Sequence, residues 1–365
     1  GIPTKNWSVQ NDEERYTRRL EEISRTVQTV VQTMKMGRFR EMYRLPRSLA
    51  LDFLNLVEDY MDGDPCPEIP KTIQFCAVLK FYASGTYQRR VGSDAFACMS
   101  QTLVSHCVRA YSFIIATKVM DQLIQFPQTI DEIKELHDEF QLNANFPGAF
   151  GIVDGSLIAL AAVPRSEEHT FMSRKRFHAI NAQFVIDINL RCLSVNARYP
   201  GSTHDSLVWR SSLVNSFLRQ ICNQTGSRWR FFMLADNGYP LQPWLLKPYD
   251  STDTELKEIY NKNHLKLRSL VERAIGHLKG RFRCLLGENK LRYDTRMSAY
   301  IIYACSTLHN FLITNKYPVD DINPIFENED YDFDEEEGLD IPCDELCRGA
   351  EVRNKIAEYF YLISD

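Results

Sequence analysis

Three acidic residues stand in surroundings where a carboxylate is unusual. Asp154 interrupts the apolar segment GIVDGS, Asp236 ends the apolar run in FMLADNGYP, and Glu272 lies in the helix-like segment LVERAIGHLKGRF. A carboxylate in an otherwise buried strand is costly unless it is paired, hydrogen-bonded or bound to a metal. Taken singly, such an Asp is more often a turn residue and such a Glu more often faces water. Taken together, three hard oxygen ligands with little sulfur or imidazole nearby indicate a Mg²⁺ or Mn²⁺ site.

The segments around these acids predict the strands and helices that position them. Apolar runs rich in β-formers predict strands at 149–163, 179–188, 192–199 and 231–235, and helical spacing predicts helices at 205–221, 254–283 (capped by Thr252) and 298–313. In this βββαβα order the first strand and the strand after the helix lie side by side and parallel, so Asp154 and Asp236 emerge as neighbours. A following helix that crosses this edge brings Glu272 within reach. The order, with acids 82 and then 36 residues apart, resembles the RNase H-like nuclease and transposase core.

The first third of the chain predicts helices. Apolar residues recur with helical spacing over 13–36, 46–57, 69–82, 95–116 and 119–140, with a break at Pro127 in the last segment. Ser100 is placed to cap a helix that exposes Gln101 and Arg109, after a segment that contains Arg89 and Arg90. This pattern indicates a helix-turn-helix-like DNA-binding element, and plain three-helix packing without DNA is the alternative.

Charge is distributed unevenly along the 365 residues, whose net charge is −5. Thirteen acids and no Lys or Arg lie between residues 320 and 345, so the rest of the chain carries a balance of +8. A moderately basic body favours a polyanion partner, and a solvated acidic linker on a neutral enzyme is the alternative.

The composition excludes several other classes. With 44% apolar residues the chain can form a sizeable core, and no apolar run approaches the ~18 residues of a membrane span, so no membrane association is expected. The ten scattered cysteines fit a reducing compartment. The chain opens at Gly1 without a secretory leader, and whether Gly1 is the native start stays open.

Specific sequence blocks between about Arg44 and Leu312 resemble the PIF/Harbinger transposases and the transposase-derived nucleases of that family. The matching blocks are YRLPR (43–47), IPKTIQFCAVLKFYASGTYQRRVG (69–92), FPGAFGIVDGS (146–156), RKRFHAINAQFVID (174–187), YPGSTHDSLVWRSS (199–212), LADNGYPL (234–241), RSLVERAIGHLKGRFRCL (268–285) and LHN (308–310). The resemblance implies that Asp154, Asp236 and Glu272 are the catalytic, metal-binding DDE triad. All three are present.

The resemblance also implies a two-metal reaction on DNA. One ion, held by Asp154 and Glu272, would activate a water or a DNA 3′-hydroxyl, and the other, held by Asp154 and Asp236, would stabilise the leaving oxygen. Implied partners are double-stranded DNA with terminal inverted repeats, a Myb/SANT-type DNA-binding protein and a second copy of the chain. We expect residence in the nucleus, reached from the cytoplasm with that partner.

Further residues are candidates for supporting roles. Basic residues predicted to contact DNA phosphates are Arg174, Lys175, Arg176 and Lys279. His178, His204 and Asp205 lie in matching blocks and are candidates for positions beside the acids. A structural role is nevertheless favoured for both histidines, and capping of a helix that begins at Ser206 is favoured over metal binding for Asp205.

These observations predict an α/β protein with an RNase H-like DDE core of mixed sheet, preceded by an all-helical region. The expected units are a helical DNA-binding region (1–140), the endonuclease core (141–317), and an acidic strip with a C-terminal helix (318–365). The predicted function is metal-dependent cutting, and joining, of DNA at transposon ends. The rival is a domesticated, catalytically silent nuclear scaffold that binds DNA or protein. A phosphatase, a P-loop ATPase and a zinc protease lack their motifs.

Overall fold

A computed structural model of the chain describes residues 33–61, 63–85, 99–319, 322–326 and 342–364. The predictions for the helix at 13–36, for Arg89 and Arg90, and for most of the acidic strip concern residues outside these ranges. The described helices and strands alternate as the sequence predicted, with a helical first part followed by a βββαβα core.

Six helices precede the first strand within the described ranges. They are α1 (Met36–Tyr43), α2 (Arg47–Glu58), α3 (Lys71–Ser84), α4 (Gln101–Ile114), α5 (Met120–Leu123) and α6 (Ile130–Ala144), with a π-helical turn over Ile115–Val119 between α4 and α5. Ser100 caps α4 as predicted, because its side-chain oxygen accepts the backbone N–H of Leu103. Pro127 separates α5 from α6.

The sheet has five strands in the order β3-β2-β1-β4-β5 in the described part of the chain. The strands are β1 (Ala149–Ala159), β2 (Ala179–Ile186), β3 (Cys192–Pro200), β4 (Phe232–Leu234) and β5 (Leu245–Leu246). β1, β2 and β3 pair antiparallel, whereas β4 runs parallel to β1 and β5 parallel to β4. The predicted parallel pairing of the first strand with the strand after the helix is confirmed, and the short β5 was not predicted.

The remaining helices are α7 (Glu168–Phe171), α8 (Asp205–Arg210), α9 (Leu213–Thr225), α10 (Glu255–Arg281), α11 (Thr295–Thr314) and α12 (Cys343–Ser364), with 3₁₀ turns at Gly226–Arg228, Arg283–Leu285 and Gly287–Asn289. The single helix predicted for 205–221 is broken, because the Ser212 side chain accepts the N–H of Asn215 and starts a new helix. The predicted cap at Thr252 is wrong: Thr254 is the N-cap of α10.

One hydrophobic core joins the N-terminal helices to the sheet. Phe53 of α2 packs edge to face on Phe311 of α11, with ring centroids 5.0 Å apart. Across the molecule, Arg281 at the end of α10 donates to the backbone oxygen of Arg44. A second cluster, which includes Trp209 and Trp244, covers the other face of the sheet under α8 and α9. The helical part is therefore packed into the same body as the sheet.

The end of the described chain packs on α10. The extended segment 322–326 lies across Gly276 and Gly280, where the Ile325 N–H donates to the Gly276 oxygen and a side chain at either glycine would meet this segment. Helix α12 follows, and its Phe360 packs on Phe146, just before β1, with ring centroids 4.8 Å apart. Among the described helices, none combines the length and the hydrophobicity that a bilayer crossing requires.

Candidate active site

The three predicted acids come from three elements that meet where β4 ends beside the middle of β1. Asp154 lies in the middle of β1, Asp236 follows β4 by two residues, and Glu272 lies in the second half of α10. Because β4 is parallel to β1, the end of β4 delivers Asp236 beside Asp154. Helix α10 packs on β1 and β4 and presents Glu272 to the same place. The fold thus gathers side chains that are far apart in the sequence.

A single guanidinium lies among the three carboxylates. The Nη1 atom of Arg268 is 3.2 Å from Glu272 Oε1, and its Nη2 atom is 3.7 Å from Asp154 Oδ2 and 4.0 Å from Asp236 Oδ2. Arg268 precedes Glu272 by one helical turn on α10, so both side chains lie on the same helix face. The side chains are 4% exposed at Asp154, 9% at Arg268, 21% at Asp236 and 30% at Glu272, so the site opens towards Glu272.

Backbone groups hold the two aspartates. Asp154 Oδ1 accepts the N–H of Gly155 at 2.8 Å, and Asp236 Oδ1 accepts the N–H of Gly238 at 3.0 Å. Burial raises the pKa of Asp236 above its usual value, against the opposing effect of the nearby Arg268 guanidinium and the Gly238 N–H. Desolvation therefore dominates at this carboxylate, and a cation at the site would favour its ionised form.

The opposite face of β1 carries a separate polar group. A Cβ at Gly155 would lie 2.4 Å from Asp205 Oδ1, so only glycine fits beside Asp154. Asp205 accepts a hydrogen bond from Asn181 Nδ2 at 2.7 Å, and successive strand residues face opposite sides, so Asp205 and Asp154 lie on different faces of the sheet. The capping role expected for Asp205 is wrong, since it is the first residue of α8 and His204 is the N-cap.

Tyr239 links this polar group to the acids electrostatically. Burial raises the pKa of its hydroxyl well above the usual value, and the negative charges of Asp205, Asp154 and Asp236 raise it further. The hydroxyl accepts a hydrogen bond from Gln183 Nε2 at 3.2 Å. Tyr239 therefore stays protonated and neutral in the folded protein.

The two histidines occupy different positions. His204 precedes α8, its Nδ1 is 3.4 Å from Ser206 Oγ, and its charge lowers the pKa of Asp236. His178 precedes β2, where its backbone oxygen accepts the N–H of Leu160. The structure thus places His204 within electrostatic range of the triad.

The basic residues predicted for DNA contact are spread over the surface and the interior. Arg174, Lys175 and Arg176 are exposed on a tight turn before β2, which is closed where the Ser173 N–H donates to the Phe177 oxygen. Lys279 is buried, with its Nζ 3.5 Å from the backbone oxygen of Leu157 in β1.

The helix-turn-helix prediction rests on α4. Gln101 and Arg109 are exposed there, and Arg109 pairs with Asp294 at 3.1 Å. Val104 and Val108 of the same helix are buried in the core. The element that would precede α4 lies at residues 86–98, outside the described part of the chain.

Two cations near the acids were not singled out by sequence reasoning. Arg268 belongs to the block RSLVERAIGHLKGRF, and its four-residue spacing from Glu272 is a signal that could have identified it. Lys247 follows β5, is buried, and its charge lowers the pKa of Asp236. No comparable sequence pattern marks Lys247, because its place depends on how β5 pairs with β4.

Another matching block proves to be structural. In LHN, the Asn310 side chain bonds both backbone groups of Cys192 and the oxygen of Leu123, and His309 Nε2 lies 3.0 Å from the Leu190 oxygen. The block fastens α11 to the start of β3.

Comparison with known proteins follows the same residues. Residues 153–310, which include all three acids, match a family model described as DDE superfamily endonuclease. The Homo sapiens protein named "Putative nuclease HARBI1" is 32% identical over 281 residues, which cover 76% of this chain and 78% of that protein. The Mus musculus protein of the same name is 33% identical over 284 residues, with the same coverage. The Arabidopsis thaliana "Protein ALP1-like" is 28% identical over 246 residues, or 64% of this chain and 59% of that protein. No solved structure matches the chain.

Proposed function

The chain belongs to the PIF/Harbinger family of RNase H-like DDE endonucleases, and from that premise we propose that it cuts DNA with two divalent ions, Mg²⁺ or Mn²⁺, held by Asp154, Asp236 and Glu272. The observation that carries this proposal is the convergence of the three carboxylates on the Arg268 guanidinium, all within 4.0 Å. A fold that brings three acids to one place keeps them there at an electrostatic cost, which a bound cation offsets.

The donor set suits the ions that the family uses. All three groups are carboxylates, the hard oxygen ligands that Mg²⁺ and Mn²⁺ prefer. In the described ranges no three His, Cys, Asp or Glu side chains are already arranged to hold one metal ion together. At Asp154, Asp236 and Glu272, the Arg268 guanidinium lies among the carboxylates. We infer that the carboxylates fit divalent ions once the guanidinium moves away. When bound, the ions supply a water of lowered pKa and charge stabilisation at the leaving oxygen.

The chain's own groups would hold and orient the reacting parts. Asp154 is held in the sheet by the Gly155 N–H and is almost fully buried, so it would serve as a rigid ligand for the ions. Asp236 is held by the Gly238 N–H, and Glu272 stands at the more open side on a rigid helix. A scissile phosphate would therefore enter from the side of Glu272. No covalent bond between protein and DNA is required.

We propose that exposed basic residues hold the DNA backbone. The turn with Arg174, Lys175 and Arg176 leads directly into β2, the strand that pairs with β1. Lysine and arginine at such positions bind phosphate without reading sequence, and the resulting affinity falls steeply with salt. Recognition of terminal inverted repeats is assigned to the region of α4, with Gln101 and Arg109 on its exposed face and Arg89 and Arg90 preceding it.

Partners and location extend the same proposal. We propose a Myb/SANT-type DNA-binding partner, a homodimer on the paired transposon ends, and action in the nucleus. Joining of the cut end is the further step that a DNA 3′-hydroxyl would perform in place of water at the same site.

The second candidate function is a nuclear scaffold that keeps the fold without cutting DNA. The observation that favours it is Arg268, which already offsets part of the charge of the three acids without a metal ion. Both candidates predict DNA binding, and they differ in the fate of the phosphodiester bond.

The decisive experiment measures cleavage of a terminal-repeat DNA by the full chain with its Myb-like partner in Mn²⁺. We expect nicking or cutting by the unaltered protein and none by Glu272→Gln, which removes a negative charge from the site. DNA affinity depends on Lys and Arg and should be unchanged or slightly higher in that variant. A matched control is Glu255→Gln, which removes an exposed acid at the other end of α10 and should leave cleavage unchanged.

Equal cutting by Glu272→Gln would reveal a contaminating nuclease or a wrong third ligand. Absence of cutting by the unaltered complex on every cognate end, with DNA binding intact, would favour the scaffold.

A further inference from the structure

The contacts of Arg268 differ from those of a simple ion pair. Its guanidinium is within 4.0 Å of three carboxylates from β1, the end of β4 and its own helix, with distances of 3.2 Å to Glu272, 3.7 Å to Asp154 and 4.0 Å to Asp236. The side chain is 9% exposed. A guanidinium presents five N–H donors in a rigid plane, so it can serve several carboxylates at once. Arg268 is thus shared by the three acids.

The charges explain why a cation is needed there. Three ionised carboxylates at one place repel one another, and burial of Asp154 and Asp236 strengthens that repulsion. The positive charges of Arg268 and of the nearby Lys247 offset part of it, and the three carboxylates still outnumber these two cations. A divalent ion carries twice the charge on a smaller body and would satisfy the same oxygens more completely.

We propose that Arg268 is a positioning residue that acts as the resident counter-cation of the metal-free site and must be displaced when a divalent ion binds. This inference rests on the proposed metal-dependent function and adds a competition between the chain's own cation and the ion. Arg268 holds the three carboxylates in their converged arrangement before metal arrives. Its long side chain, anchored one turn from Glu272, leaves the acids when the ion takes its place.

Competition and a purely structural role predict opposite changes in metal affinity when Arg268 is removed. An arginine that only supported the acids would weaken metal binding when removed, because the ligands would lose their arrangement. An arginine that competes with the ion lowers the apparent metal affinity, so its removal strengthens binding. Coulomb repulsion between a unit charge and a divalent ion about 4 Å apart is large at the effective dielectric of a partly buried site.

The test measures Mn²⁺ binding to the DNA-free full chain by electron paramagnetic resonance, which detects free Mn²⁺. We expect Arg268→Gln to bind Mn²⁺ about tenfold or more tightly than the unaltered protein. Arg273→Gln is the matched control, since it removes the same charge from an exposed position on the same helix and should leave the affinity nearly unchanged. In EDTA, Arg268→Gln should melt at a lower temperature, and Mn²⁺ should raise its melting temperature more than that of the unaltered protein.

A second measurement covers the case in which Arg268→Gln fails to fold. In the unaltered protein with ¹⁵N-labelled arginine, the Arg268 Nε–H resonance, assigned by its loss in Arg268→Lys, should shift when Mg²⁺ is added. An unshifted resonance at saturating Mg²⁺ would overturn the proposal.

Equal or weaker Mn²⁺ binding by Arg268→Gln, while the unaltered protein binds Mn²⁺ and Asp154→Asn does not, would overturn the competition and leave the metal site in place. No Mn²⁺ binding by the unaltered protein or by Arg268→Gln would overturn both the competition and the proposed function.

Discussion

Two buried acid–arginine groups in this molecule are built differently. Asp187, at the end of β2, accepts the backbone N–H groups of Asn189 and Arg191 through Oδ1 and pairs with Arg191 Nε through Oδ2 at 2.6 Å. At the triad, by contrast, one guanidinium serves three carboxylates, at 3.2 to 4.0 Å. The first group has one cation for one acid, with short contacts, whereas in the second three acids outnumber Arg268 and the nearby Lys247.

The difference separates a structural acid from acids kept for chemistry. Asp187 is matched by its own turn, so adding another cation would gain little. The triad retains unbalanced charge in a place that opens to solvent at Glu272, and this is the condition under which a divalent ion gains most. Burial raises the pKa of Asp187 and of Asp236 alike, so a raised pKa does not distinguish the two groups. The ratio of acids to cations distinguishes the Asp187 group from the triad.

The largest expected effect concerns cleavage. We expect Asp154→Asn to lower the cleavage rate at least about 10³-fold, because it removes the ligand that both ions would share, and to leave the fold intact. Asp187→Asn, the matched change at the structural acid, should lower the rate by no more than the loss of folded protein explains. Single-turnover cleavage with circular dichroism of each variant checks this. Unfolding of Asp154→Asn would show instead that Asp154 is structural.

The next effect is on the free energy of unfolding, where the change at Asp187 should matter more than the changes at the triad. Asp187→Ala should lower the free energy of unfolding by about 3 kcal/mol, because it leaves two backbone N–H groups and a partly buried guanidinium without their acceptor. Asp253→Ala removes an equally short ion pair, 2.6 Å to Lys257, at an exposed position and should change stability little. Urea denaturation of both variants tests the pair. A similar loss at the two sites would contradict the role of burial.

The pH dependence of stability also tests the turn that follows Asp187, because His309 Nε2 lies 3.0 Å from the backbone oxygen of Leu190 in that turn. Burial lowers the pKa of His309 to about 4 from an ordinary value of 6.5, so between these pH values the unfolded chain binds the proton and the folded chain does not. Stability should therefore fall as the pH drops from 6.5 to 4, with about 2.5 kcal/mol of that loss due to His309.

His309→Gln should flatten this part of the pH profile, measured by urea denaturation at each pH. The buried His264, whose pKa is also lowered to about 4, keeps the rest of the slope. An unchanged profile in His309→Gln would mean that His309 does not titrate between these pH values.

The smallest expected effect is again at the triad. Glu272→Gln should change the free energy of unfolding in EDTA by less than about 0.5 kcal/mol, since Glu272 is the most exposed of the three acids and its removal also relieves repulsion. Thermal denaturation in EDTA provides the measurement. A loss comparable to that of Asp187→Ala would place Glu272 among the structural acids.

Sequence periodicity predicted the strands and the neighbouring positions of Asp154 and Asp236, because a carboxylate in a buried strand pattern is rare and the βββαβα order dictates which strands are adjacent. It did not predict the role of Arg268. Helical spacing places Arg268 and Glu272 on one face, but whether that face meets water or other acids depends on the packing of α10 against β1.

Lys279 also shows that the packing of α10 could not be predicted from helical spacing. The sequence predicted that Lys279 contacts a DNA phosphate, yet the fold buries it, with its Nζ 3.5 Å from the Leu157 oxygen. Asp205 failed as a cap because the helix begins one residue earlier than predicted, and its carboxylate turns to Asn181. Local rules identified these residues as unusual, and the tertiary packing decided their contacts.

The contact between Phe146 and Phe360 can form only late in synthesis, because it joins residues that are more than 200 positions apart. Phe146 leads into the strand that carries Asp154, and it packs on Phe360 of α12. A ribosome must therefore make the chain at least as far as residue 360 before the support beneath that strand is complete. Pairing elements this distant in sequence is slow, because the intervening chain must be closed into a loop. A nascent or truncated chain would lack this support, so the site would mature only after the helix that closes the core has left the ribosome.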